Sequence, residues 1–154
     1  MKTRMRALVV VICILATSCA PELLPEAPEV VEEMTNKQEQ SMTIQITIGN
    51  YMFKADIEGT ASGKAFVAKL PLTLDMSELN GNEKYCYGVS LPRADKYYES
   101  LAAGDLMLYS GNCLVLFYAP AGGYSYTRIG RLTGTEGLQE ALGSGSVKVS
   151  FAKE

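Results

Sequence analysis

Histidine and tryptophan are absent from this 154-residue chain. Without histidine the chain itself has no Ser-His-Asp or Cys-His relay and no histidine-ligated metal. Basic charge is scarce, with 14 Lys and Arg against 17 Asp and Glu for a net charge of −3. Such a balance offers no basic surface to phosphates, so nucleic acid is not an expected partner. Cysteine is limited to Cys13, Cys19, Cys86 and Cys113. The spacing of Cys86 and Cys113 fits no metal motif, and no metal or other cofactor is expected. No carboxylate pair has a spacing that nominates a glycosidase. Ser62-Gly63-Lys64 lacks the glycine spacing of a phosphate loop.

What is present begins with a secretory pattern. Lys2, Arg4 and Arg6 precede an apolar segment, Ala7 to Ala16, which is too short to span a bilayer. Thr17-Ser18-Cys19 follows and resembles the bacterial lipobox, with Ala16 where leucine is usual. The resemblance implies cleavage after Ser18 and lipidation of Cys19 by a diacylglyceryl thioether and an amide-linked acyl chain. Several chains hold a protein stably where one alone binds marginally. An ordinary cleaved signal with a nearby cysteine is the alternative. Cleavage removes three of the 14 basic residues and none of the 17 acidic ones, which takes the net charge from −3 to −6. The expected place is the bacterial cell envelope, anchored through lipid to a membrane and facing the periplasm or the surface.

Residues 19–41 read as the lipidated cysteine and an acidic tether. Pro21, Pro25, Pro28 and six glutamates leave too little apolar surface to offset the entropy of ordering. Residues 42–154 read as one domain. Ile44, Ile46 and Ile48 alternate with polar residues, Gly49-Asn50 turns, and Tyr51, Phe53, Ala55 and Ile57 alternate back, which is a hairpin. Thr60 can cap a helix from Ala61 to Lys69, with Gly63 costing it about 1 kcal/mol relative to alanine. Leu72 to Met76 alternates as a strand, Asn80-Gly81-Asn82 turns, and Lys84 to Leu91 follows as a strand. Pro92 to Leu101 reads as loop with a helical turn. Gly134 to Leu142 reads as a helix, and Val147, Val149 and Phe151 as the last strand. About eight short strands with two short helices favour a mainly β sandwich or barrel.

The densest set of candidate contact residues lies between Gly104 and Leu132. Asp105 to Tyr109 and Cys113 to Tyr118 read as strands around a Ser110-Gly111-Asn112 turn. Leu114 to Phe117 is apolar without alternation, as in a strand covered on both faces, with a helix packed outside. Ala119 to Gly123 reads as a break, after which Ile129 and Leu132 restart a short strand. In an extended segment Tyr124, Tyr126 and Arg128 share one direction and place two aromatic faces and a cation in line. That row can hold a peptide or a glycan by stacking and charge-assisted hydrogen bonds, or pack against the end of the barrel. Arg131, three residues beyond Arg128, points to the opposite face of a regular strand. Glu83 follows a turn and reads as a solvated loop acid able to pair with an arginine. Cys86 and Cys113 sit in strand-like segments, where free thiols are expected.

From Thr43 to Ala152 the chain resembles the bacterial cyclophilin-like domain family. The resemblance rests on IQITIGNYMFKADI, KLPLTLDM, NGNEKY, GDLMLY, LVLFY, YSYTRIGRL and VKVSF, in that order. It implies a closed antiparallel β-barrel with two short helices. It does not imply prolyl isomerase activity, because the histidine-containing signature of true cyclophilins is missing. The expected function is a membrane-anchored, non-catalytic binding domain for a peptide, glycan or protein partner. An envelope prolyl isomerase or foldase, and a structural part of a surface complex, are the alternatives.

Overall fold

A computed structural model describes residues 42–154. The expected signal segment, Cys19 and the tether lie outside the described residues. β1 (Met42–Ile48) and β2 (Tyr51–Ile57) form the expected hairpin around Gly49-Asn50, with Ile48 opposite Tyr51. Ile44, Ile46, Ile48, Phe53, Ala55 and Ile57 are buried as expected, whereas Tyr51 at the turn is 41% exposed. α1 (Ala61–Ala68) starts where Thr60 Oγ1 accepts from the Gly63 N–H at 3.1 Å. It lays Phe66 edge-on against Phe151, with ring centroids 5.5 Å apart.

The remaining elements are β3 (Leu72–Leu79), β4 (Glu83–Tyr87), β5 (Lys96–Leu101), β6 (Asp105–Tyr109), β7 (Cys113–Phe117), β8 (Ala121–Leu132), α2 (Leu138–Leu142) and β9 (Val147–Lys153). The strands pair antiparallel in the order β2-β1-β9-β3-β4-β7-β6-β8-β5, and β2 also pairs with β8. Eight of them thus close a ring, and β5 hangs from the first half of β8 outside it. Left-handed Asn80 and Gly81, at φ 56° and 73°, turn β3 into β4, as expected from Asn80-Gly81-Asn82.

Two cores result from the pleat. Leu106, Leu108, Leu114 and Leu116 point into the ring, with the β1–β2 isoleucines, Phe66 and Phe151. Met107, Cys113, Val115 and Phe117 point outward and meet Leu101 and Tyr126. β7 is therefore buried on both faces, as its unbroken apolar run implies, but its outer cover is the β5–β8 ribbon and not a helix.

Other expectations are corrected. Residues 96–101 are strand β5 and not loop, since backbone pairing to β8 overrides a segment with little apolar alternation. Ala121 to Gly123 belong to β8 and do not interrupt it. Gly123 serves close approach: an added Cβ would lie 2.5 Å from the Tyr97 hydroxyl oxygen and 2.9 Å from the Tyr98 carbonyl oxygen. The last helix shrinks to Leu138–Leu142 because Gly137 is left-handed at φ 77°. β4 stops at Tyr87, where Gly88 adopts φ 96° and the chain turns to bond Asn112.

Gly63 reverses its expected role. It is buried at the start of α1, and a Cβ there would overlap the Glu58 carbonyl oxygen and crowd Ile57. Propensity favours alanine by about 1 kcal/mol, but overpacking against backbone costs about 1–3 kcal/mol. Gly63→Ala is therefore expected to lower the urea midpoint. Gly134→Ala, where nothing lies within 4 Å of an added Cβ, is expected to leave it nearly unchanged. A midpoint for Gly63→Ala at or above wild type would show that the overlap relaxes freely.

Candidate functional site

The outward face of β4, β7 and β6 carries the site. Register sets Glu83 opposite Phe117, Tyr85 opposite Val115 and Tyr87 opposite Cys113, and then Cys113 opposite Tyr109. Directly opposed residues share a face, so Glu83, Tyr85 and Tyr87 lie in one row beside Cys113, Val115 and Tyr109. The β5–β8 ribbon supplies Tyr124 and Tyr126 from across this face. Between them is a cavity of about 470 Å³, with Leu79 and Asn80 of the β3–β4 turn at its edge.

The aromatic wall is continuous. Tyr126 meets Phe117 edge-on at 5.7 Å, Tyr124 at 5.6 Å and Tyr109 at 6.1 Å, and Tyr109 meets Tyr124 at 5.8 Å. On the other side Tyr85 and Tyr87 form an edge-to-face pair at 5.8 Å. The floor is buried, with Tyr126 only 9% exposed, whereas the rim residues Tyr87 and Tyr124 are 60% and 52% exposed. Tyrosine suits both places, with an apolar ring to pack and a hydroxyl for the wet end. Burial, with Glu83 and neighbouring hydroxyls adding to it, pushes the Tyr126 phenol up to about 12.

Glu83 is the polar group of the floor. It is 7% exposed and is the first residue of β4, not the solvated loop acid its position after a turn suggested. Among the described residues its carboxylate has no hydrogen-bond or ion-pair partner, and no arginine reaches it. Burial raises its pKa above the ordinary carboxylate value, and the Glu78 charge nearby raises it further.

The structure thus brings Tyr124, Tyr126 and Glu83 together and leaves Arg128 out. Arg128 stacks on the Tyr98 ring at 4.8 Å and approaches Asp105 at 3.8 Å and Glu58 at 4.0 Å. The register keeps Arg128, opposite Met107, on the outward face with Tyr126, but it lies further along β8 than the cavity, against Tyr98 and Asp105. Leu106 is opposite Gly130 and Met107 opposite Arg128, so Ile129 is an extra residue that bulges β8 just beyond Arg128. The bulge undoes the expected divergence of Arg128 and Arg131. Both approach the buried Asp105, which accepts from Arg131 Nε at 2.8 Å and from the Ala102 N–H at 2.8 Å.

Cys86 and Cys113 are free. Cys86 is opposite Leu114 and Cys113 opposite Tyr87, which sends their side chains to opposite faces of the sheet. Burial first, then the nearby Cys86 and Glu83, pushes the Cys113 thiol up to about 11, so it remains protonated at neutral pH. Among the described residues no group of three or more His, Cys, Asp or Glu side chains is placed to hold a metal ion.

The profile of the Cyclophilin-like family matches residues 46–152. The chain belongs to this family. The solution structure of a hypothetical protein from Archaeoglobus fulgidus is similar, with a TM-score of 0.51 and 16% sequence identity over 77% of this chain and 99% of that one. At that identity the likeness concerns the fold alone. No curated protein sequence matches the chain.

In this cyclophilin-like domain the cavity edge is fixed by a buried charge. Lys84 is fully buried on the inward face of β4. Its Nζ donates to the Gly143 and Gly145 carbonyl oxygens at 2.9 and 2.6 Å and lies 2.6 Å from Glu78 Oε2. Glu78 Oε1 accepts from the Tyr118 hydroxyl at 2.7 Å and the Gly81 N–H at 3.0 Å. These bonds tie the β3–β4 turn to the segment between α2 and β9. Tyr109 and Lys84 carry no local signal of a role at the site, whereas the row of Tyr124 and Tyr126 and the period-two spacing of Glu83, Tyr85 and Tyr87 are both readable.

Burial acts to raise the Glu78 pKa, but the bonds from Lys84, Tyr118 and Gly81 outweigh it and hold the carboxyl below its ordinary value of 4.5. A lowered folded-state pKa gives stability that is present above the unfolded value and is lost as pH falls through the folded one. Unfolding free energy should therefore drop with acidification below about pH 4.5, and Glu78→Gln should flatten that drop. Lys84→Met, which strands a carboxylate that is one quarter exposed, should cost about 3 kcal/mol at neutral pH. Denaturant titrations across the acid range check both. An unchanged acid slope in Glu78→Gln would remove Glu78 from the account.

Proposed function

We propose that this cyclophilin-like protein is a non-catalytic binding domain held at a bacterial membrane through lipidated Cys19. Its ligand, a peptide segment or a glycan, enters the cavity between Glu83 and the tyrosines of β6 and β8. The observation that carries this reading is the unpaired Glu83 carboxyl on the floor of an aromatic-walled cavity of about 470 Å³. Apolar pockets with a few convergent polar groups are the usual form of a ligand site.

Catalysis has little support. The chain has no histidine, the cavity contains one carboxyl group, and Cys113 stays a thiol. Arg128, the group nearest in kind to a cyclophilin arginine, is engaged by Tyr98 and Asp105. A tether of the length of residues 19–41 gives the domain a flexible reach of roughly 25 Å from the membrane.

Two measurements test the two halves of the proposal. Metabolic labelling with a fatty acid should mark wild type and leave Cys19→Ser unmarked; label on Cys19→Ser would end the anchor assignment. In a screen of peptides and glycans, binders should shift the Tyr124 and Tyr126 ring resonances. Tyr124→Ala should weaken binding by about tenfold, the scale of one aromatic contact. The distant pair Lys148→Ala with Lys153→Ala should leave binding unchanged. Binders that shift neither ring, or that bind Tyr124→Ala at full strength, would place the site elsewhere.

A further inference from the structure

We infer that the cavity recognises an organic ammonium group, with Glu83 as its counter-charge and Tyr87, Tyr109, Tyr124 and Tyr126 as its aromatic wall. The inference rests on the proposed binding role of this cavity and names the chemistry of its ligand.

Four observations lead to it. Glu83 is 7% exposed and, among the described residues, has no donor or cation to satisfy it. Its carboxyl oxygens are not fully buried but open to the cavity, so a ligand that brings positive charge there meets a largely desolvated carboxylate. No lysine or arginine lines the cavity. Of the cations around it, Lys84 is held by Glu78 and two carbonyls on the inward face, Arg128 lies against Tyr98 and Asp105, and Arg93, which lines the adjoining pocket with Tyr109 and Tyr124, pairs with Asp95. An anionic ligand would meet only the like charge of Glu83. The walls are tyrosine rings, whose negative faces attract ammonium groups, and such attraction is strongest where water is excluded.

A neutral sugar would use the rings but would leave Glu83 without a charge partner. A guanidinium would also pair with the Glu83 carboxylate through its fork; a compact ammonium is favoured because ring faces can enclose it from several sides, as in aromatic cages. The ammonium can be carried by a small free ammonium compound or by a lysine side chain of a peptide, and the probes below separate these sources.

The test uses the full-length protein in a non-ionic detergent, with ring resonances of Tyr124 and Tyr126 as the readout. The probes are choline, its uncharged isostere with a tert-butyl group in place of the trimethylammonium, a capped lysine tripeptide, and N-acetylglucosamine. Choline or the lysine peptide is expected to bind at least about tenfold more tightly than the isostere, the scale of one charge-assisted contact. Glu83→Gln, which keeps the side-chain shape, is expected to bring choline down to the affinity of the isostere without lowering the unfolding midpoint. Tighter binding of choline assigns a small free ammonium compound, and tighter binding of the tripeptide assigns a lysine side chain. An isostere or sugar that binds as well as the cations, or a Glu83→Gln protein that keeps full choline affinity, overturns the ammonium assignment and leaves the cavity as a neutral-ligand site. If no probe of either charge class shifts the rings, both the assignment and the binding role of the cavity fail. Should Glu83→Gln not fold, the comparison of choline with its isostere on wild type still decides.

Discussion

Closure of the ring between β2 and β8 is the constraint on which the rest of this structure depends. It consists of a short antiparallel pairing, Ala55 with Leu132, Asp56 with Arg131 and Ile57 with Gly130. Gly130 makes it feasible. A Cβ at this position would overlap the Asp56 carbonyl oxygen and lie 2.9 Å from the Ile57 side chain. Without the closure β2 and β8 would be open edges, with unpaired backbone groups and the inner core reachable from the side. The Ile129 bulge beside Gly130 is where β8 changes partners, since a bulge bends a strand and increases its twist.

That bend divides β8 into two parts with different duties. Beyond it, residues 130–132 close the ring against β2. Before it, residues 121–126 leave the ring, pair with β5 and fold over the outer face of β6 and β7. The cavity exists because this ribbon covers only part of that face. The bulge also gathers Arg128 and Arg131 around the buried Asp105, so both arginines brace the corner and neither serves the cavity.

The sequence made the regular parts legible and left the irregular ones dark, for physical reasons. The β1–β2 hairpin is plain because its alternation is regular and all of its inward face is buried except Met42 and Tyr51 at its ends. Both Gly-containing turns, Asn80-Gly81 and Ser110-Gly111, were readable from residues that tolerate positive φ. The double burial of β7 was visible in its apolar run, although what covers it was not. β5 was invisible because an outlying strand with one fully buried residue, Leu101, carries almost no periodic signal. Gly122-Gly123 resembles a break by composition, whereas Gly123 is there to admit the Tyr97 ring and the Tyr98 backbone. At the site, Tyr124, Tyr126 and Arg128 are readable as a row, but where the cavity ends before Arg128 is set by Tyr98 and Asp105, from β5 and β6, which no local pattern announces. Glu83 resembles a loop acid locally because its cross-strand neighbour Phe117 and the nearby Tyr126 lie far along the chain.

The opposite fates of Glu83 and Lys84 follow from the pleat of β4. Adjacent residues of a strand face opposite sides, and here both sides are buried. Lys84 turns inward, where Glu78 and two carbonyl oxygens satisfy it. Glu83 turns outward under the ribbon, where nothing among the described residues does. If burial alone drove the choice of side chain, position 83 would be apolar like Phe117, its direct cross-strand partner. The two residues thus differ in how their charge is met: Lys84 by three partners within the fold, Glu83 by what the cavity admits. The turn that separates Glu78 from Glu83 is pinned by the first of these charges. The paired charge therefore fixes the position from which the unpaired one faces the cavity.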